Sequence, residues 1–160
     1  LGDDNTLVLN DGKVVSLKTP SAQTSGLKLN VQSVAQLTSG YKVMIDFDAS
    51  RSIVKQGNSG SYSLKPVVRA YITANSSAID GNLLPSNIAM RVFTVTSAND
   101  TISTLSDTLQ NNYFKLHGLF SGTYDLKVED LSTKDITVIK SGIQIVGGTD
   151  VHLGNLSLKE

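Results

Sequence analysis

The chain has 160 residues, 39% of them hydrophobic and only 18% charged, and its 14 basic and 14 acidic side chains cancel. A neutral chain offers no basic field to a phosphate backbone, so nucleic-acid binding is set aside. Cysteine is absent, which excludes disulfides, thiolate metal sites and cysteine nucleophiles. No apolar run has the length of a transmembrane helix and no signal peptide is present. The length permits one large β domain or two small ones.

Thr6 to Asn10, Asp11-Gly12, and Lys13 to Leu17 read as a β-hairpin, with Asp-Gly suited to a type I′ turn. Pro20 and its Ser/Thr surroundings form a loop. Leu27, Leu29 and Val31 alternate as in a half-buried strand, and Tyr41, Val43, Ile45 and Phe47 repeat the pattern. Asp48 or Ser50 is placed to cap one helical turn ending near Val54. After the loop Gln56 to Gly60, one strand is expected from Tyr62 to Ile72, and Pro66 within it requires an edge or a bulge.

Thr73 to Ser77 is a boundary. Beyond it, strands are predicted at Ile79–Leu84, Ile88–Thr96, Ile102–Leu105 and Tyr113–Leu116. Four more follow at Tyr124–Glu129, Ile136–Ile139, Ile143–Val146 and Val151–Leu158. Turn residues separate these runs and none has a helical period. The expected fold is all-β: two consecutive small β-sandwiches, an incomplete one over residues 1–75 and a complete one over 76–160. With few strands, the first leaves sheet edges open as templates for another strand.

The second half carries Ile79-Asp80-Gly81-Asn82-Leu83, Phe114, Leu116, Gly118-Leu119 and Gly122-Thr123-Tyr124-Asp125-Leu126-Lys127-Val128. It closes with Ile143, Ile145, Val151, Leu153, Leu156 and Leu158. In these it resembles the carboxypeptidase regulatory-like, or transthyretin-like, sandwich family, which implies a non-catalytic module of exported bacterial proteins. The first half carries Leu7 to Gly12, Ser25 to Leu29, Asp46 to Ser50 and Tyr62 to Ala70. It is similar to the C-terminal half of DUF4382, a bacterial lipoprotein family of unknown function. That resemblance implies further strands upstream. The start Leu1-Gly2-Asp3-Asp4, without Met, is read as that of a processed or trimmed product of a longer precursor.

Few residues suggest chemistry. His117 and His152 have no partner at metal-ligand spacing, and the alternation of Val151, His152 and Leu153 points His152 to solvent. Asp46 and Asp48 share a strand face, a spacing open to calcium or to a carboxylate pair. A polar face opposite Ile45 and Phe47 accounts for it more simply. The turn glycines at 118–122 and 147–148 precede no helix, so they cradle no phosphate, and no Gly-x-Ser-x-Gly elbow occurs. Asp100-Thr101-Ile102 and Asp107-Thr108-Leu109 look like the Asp-Ser/Thr-apolar acceptor motif of bacteroidete O-glycosylation, which makes Thr101 and Thr108 candidate attachment sites.

The expectation is a non-enzymatic structural subunit of an extracellular or cell-surface filament, needing no cofactor or metal. Copies would join head to tail by strand complementation. Leu7, Leu9, Leu64 and Val68 are the candidate groove, and a terminus, Leu1 to Leu9 or Val151 to Glu160, the donor. The alternative is a cell-surface, outer-membrane-associated lipoprotein fragment that binds a glycan or a protein. Absent Trp and 6% aromatics offer few stacking platforms for sugars.

Overall fold

The computed structural model describes residues 4–19, 31–32 and 42–158. Its strands are β1 (Thr6–Val8), β2 (Val14–Lys18), β3 (Val31–Gln32), β4 (Val43–Phe47), β5 (Ile53–Gln56), β6 (Ser61–Leu64) and β7 (Val68–Ile72). They continue with β8 (Ser77–Leu84), β9 (Met90–Val95), β10 (Thr101–Leu105), β11 (Tyr113–Leu119), β12 (Gly122–Asp130), β13 (Ile136–Ile145) and β14 (Val151–Ser157). The helical content is one turn, α1 (Ala49–Ser52), and two 3-10 turns at Thr73–Asn75 and Thr108–Gln110. The protein is all-β. Two compact units divide it, Leu1–Val31 with Ile45–Ala70, and Gln32–Met44 with Tyr71–Glu160.

The first unit is organised by a four-stranded sheet of order β1-β2-β6-β5. Its hairpin forms where expected, pairing Thr6 with Ser16 and Val8 with Val14, but the turn differs. Gly12 N–H donates to Leu9 O and Leu9 N–H to Lys13 O, both at 2.9 Å. Gly12 alone takes positive φ, at 80°, while Asn10 and Asp11 do not. This is a three-residue loop ending in a glycine bulge. Asp11 favours it by accepting from Lys13 N–H at 2.9 Å through Oδ1, which holds Asp11 out of the left-handed region a type I′ turn demands.

Pro66 divides the strand expected from Tyr62 to Ile72 into β6 and β7, which lie in different sheets of order β1-β2-β6-β5 and β3-β7-β4. Fully buried Ser52 bridges the break. Its carbonyl accepts from Lys65 N–H at 2.7 Å and its Oγ from Val67 N–H at 2.8 Å. Both amides flanking the proline are thereby satisfied, as buried backbone requires. Asp48 caps α1 as expected, accepting from Arg51 N–H at 3.1 Å. The next residues extend at once as β5, antiparallel to β6.

The predicted burial of β4 is reversed. Val43, Ile45 and Phe47 are exposed, whereas Asp46 on the opposite face is half-buried and pairs with Arg69 of β7. The Leu27–Leu29 alternation and Tyr41 lie outside the described residues.

The second unit contains a sandwich of a four-stranded sheet, order β10-β9-β12-β13, and a three-stranded sheet, order β11-β8-β14. Alternate residues of both close one apolar core, including Ile79, Leu83, Val92, Phe114, Leu116, Leu126 and Val128, each at most 2% exposed. The two strands predicted at 136–139 and 143–146 are one ten-residue strand, β13. Its pairing with β12 shifts register near Lys140, and Gly142 at φ 67° absorbs the irregularity without ending the strand. Gly118 sits inside β11, not in a turn. It too has positive φ, and a Cβ there would stand 2.6 Å from the Tyr71 ring.

Candidate functional site

In the first unit, β1 is three residues long and forms one edge of its sheet. Beside it lies an open hollow of about 560 Å³, lined by Leu7, Val8, Leu9, Asn10, Asp11, Ile53 and Tyr62. Val8 is 65% exposed and its cross-strand partner Val14 61%. The hairpin thus presents apolar surface at an unpaired edge. Of the groove residues expected from sequence, Leu7 and Leu9 line the hollow. Leu64 is buried at the end of β6, and Val68 is half-buried on β7. Neither lines it, because Pro66 turns the chain into another sheet between them.

The Asp46/Asp48 pair is committed elsewhere. Arg69 donates from Nε to Asp46 at 2.9 Å and approaches it through NH2 at 2.7 Å. Asp48 holds Ser50 Oγ at 2.6 Å as well as the α1 cap. A carboxylate neutralised by arginine and another spent on a cap leave no shared pair for a cation. Among the described residues, no group of three or more His, Asp or Glu has metal-binding geometry.

Sequence reasoning missed a polar row on the three-stranded sheet of the second unit. Lys115 of β11 and His152 of β14 both stand opposite Asp80 of β8. The Asp80 side chain is 10% exposed. His152 Nδ1 donates to its Oδ1 at 2.8 Å, and Lys115 Nζ lies 3.9 Å from Oδ2. His152 is exposed, as the alternation implied, yet its ring is held by this carboxylate. Lys115 Nζ donates to Asp150 Oδ2 at 3.0 Å, and Asp150 Oδ1 accepts from Ala78 N–H at 2.8 Å. The hydrogen bond from Lys115, then the one from Ala78, hold the Asp150 carboxyl below the usual carboxylate range against a desolvation that opposes them. The same hydrogen bond raises Lys115 above its ordinary value. Ionised forms on both sides make this a clamp between β8, β11 and β14, with no proton poised for transfer. The signal was present as polar residues at alternating positions, but only strand pairing places residues 80, 115 and 152 in one row.

Of the candidate acceptors, Thr101 is half-buried in β10, opposite Val95. Thr108 is exposed on a 3-10 turn. Asp107 caps that turn, accepting from Leu109 N–H at 2.9 Å, and Leu109 is 95% exposed.

These features describe an all-β protein with an open-edged first unit and a well-packed sandwich in the second. The family model described as "Domain of unknown function (DUF4382)" matches residues 4–66, so the first part of the chain is similar to that family. No curated protein matches the chain. Among solved structures, the Bacillus anthracis TIE protein aligns at 15% identity with a TM-score of 0.32. The alignment covers 58% of this chain and 18% of that one, so the chain spans under a fifth of that protein's length.

Proposed function

We infer that the protein is a non-catalytic structural subunit of an extracellular or cell-surface filament, its copies joined head to tail at the open side of the first unit. One observation carries this reading: the edge strand β1 lies beside an apolar-lined hollow of about 560 Å³. An unpaired strand edge offers its main-chain groups to another chain's strand, and apolar pockets beside it select the alternating side chains. Because the accepting surface lies in one unit, the contact is heterologous, and it propagates as a filament if the rotation does not close. The second unit we read as a transthyretin-like sandwich acting as a spacer. Its support is the two-sheet core together with the Gly-Thr-Tyr-x-Leu-x-Val strand at Gly122 to Val128. Thr108, and less readily the half-buried Thr101, are candidates for glycan attachment.

Negative-stain electron microscopy of the chain purified without denaturant tests the reading. Regular filaments that vanish in Leu7→Asp are expected. Discrete monomers at every concentration would overturn it and favour a cell-surface glycan- or protein-binding module.

A further inference from the structure

The second unit carries an apolar crown at one end of its sandwich. Leu84 and Ile88 come from the β8–β9 connection, Leu105 and Leu109 from the β10–β11 connection, and Leu131 and Ile136 from the β12–β13 turn; all six are exposed. Strand pairing brings these connections to the same end. Leu105 stands opposite Arg91, Arg91 opposite Glu129, and Glu129 opposite Ile136, in one continuous row. Buried Asn112 ties the remaining loop in, its Nδ2 donating to Pro85 O at 3.0 Å and Ile88 O at 2.9 Å. Scattered exposed apolar residues are normal on a protein surface, but a contiguous set marks an interaction site. At its tip, Leu109 is 95% exposed on a turn held by the Asp107 cap. A leucine so presented buries nothing for its own fold.

Charge selects the occupant. Leu1–Val31 with Ile45–Ala70 carries seven basic and five acidic side chains, and Gln32–Met44 with Tyr71–Glu160 carries nine acidic and seven basic. The units therefore have net charges of +2 and −2. Locally the same signs hold. The crown bears Asp107, Asp130 and Asp135 against Lys134, with Arg91 and Glu129 paired to each other. The hollow of the first unit bears Asp11 among its lining, while Lys13 follows Asp11 in the hairpin loop and Lys55 stands opposite Tyr62. An acidic apolar projection and a basic-rimmed apolar hollow within one sequence complement each other between copies.

We propose that the crown of the second unit, led by Leu109, docks into the Leu7–Val8–Leu9–Ile53–Tyr62 hollow of a second copy. The proposal rests on the head-to-tail reading above and names the surface that enters the hollow, whichever segment pairs with the β1 edge. Anchors of this kind dominate interface energy, while the surrounding charges set orientation and encounter rate.

Sedimentation velocity of the full chain and two variants tests it. Leu109→Asp removes the crown's anchor and Val8→Asp charges the hollow, each at an exposed position where the fold tolerates the change. The wild type is expected to associate with rising concentration, and each variant alone about tenfold or more weakly. An equimolar mixture of the two variants retains one intact crown and one intact hollow, so it forms a dimer and stops there. Oligomers of Leu109→Asp as strong as the wild type's, or a mixture that stays monomeric while the wild type associates, would overturn this contact and leave the filament reading standing. A wild-type chain monomeric at every concentration would overturn both.

Discussion

The two units share composition and strand chemistry but use their apolar residues differently. In the second, facing sheets place large side chains such as Phe114, Leu116 and Leu126 in a core at most 1% exposed. In the first, Leu17 and Leu64 are buried, while Val8, Val14, Ile45 and Phe47 remain on the surface. Periodicity alone does not bury a residue. An alternating strand has an apolar face, but that face is dry only where a second layer covers it. The second unit supplies that layer within itself. Apolar side chains that cover no core remain available for association, which is why the first unit carries the candidate accepting surface.

Core truncation should separate the units most sharply. Phe114→Ala is expected to destabilise the second unit by about 3–5 kcal/mol, through lost burial and the cavity left behind. Denaturant titration followed by circular dichroism would measure it, and a loss below about 1 kcal/mol would mean that the core is looser than its burial implies. Gly118→Ala comes next, at about 2–4 kcal/mol, because it combines left-handed backbone with a Cβ 2.6 Å from the Tyr71 ring. The same titration reads it, and Gly142→Ala offers a control with equally positive φ but no atom within 4 Å. The control should lose only the backbone part.

In the first unit, Asp48→Ala is expected to cost about 1 kcal/mol by uncapping α1, measured as a lowered denaturation midpoint. Val8→Asp should change monomer stability by no more than about 0.5 kcal/mol, in contrast to the large loss expected from any charge at buried Val92.

The smallest effect is the pH dependence of the clamp on the second unit. Asp150 is depressed in the fold, so its contribution is present above the ordinary carboxylate value near 4 and is lost as pH falls through the lower folded value. Lys115 is raised, so its contribution is present below about pH 10.4 and is lost as pH rises through the folded value. Both side chains are substantially open to solvent, at 30% and 40%, and screening keeps the pair under about 1 kcal/mol. Asp150→Asn should flatten the acid limb of the stability–pH curve for the second unit by that amount. An unchanged curve would mean that Lys115 and Asp150 do not pair in solution.

Local signals were strongest where backbone chemistry is local. Asp11-Gly12 marked the hairpin, Asp48 the helical turn, and Gly122 to Val128 a strand alternating cleanly enough to be placed within two residues. The turn type eluded that reading because Asp-Gly serves both a two-residue loop and a glycine-bulged one. The side-chain hydrogen bond from Lys13 N–H to Asp11 chose between them. Half of the candidate groove was legible as well: Leu7 and Leu9 line the hollow. Leu64 and Val68 share a sequence run, which says nothing about which sheet each side of Pro66 will join.

The sequence by itself determined the all-β class, most strand positions and the absence of cysteine chemistry, because alternation, turn residues and residue type act over a few positions. It also set the opposite net charges of the two units, once their bounds were known. Tertiary structure decided which alternating faces became core, which sheet each side of Pro66 joined, and that Lys115, Asp80 and His152 share a row. It likewise gathered six exposed apolar residues into a crown at one end of the second sandwich. These depend on pairings between residues distant in the chain, made by main-chain hydrogen bonds whose partners no local run of side chains specifies.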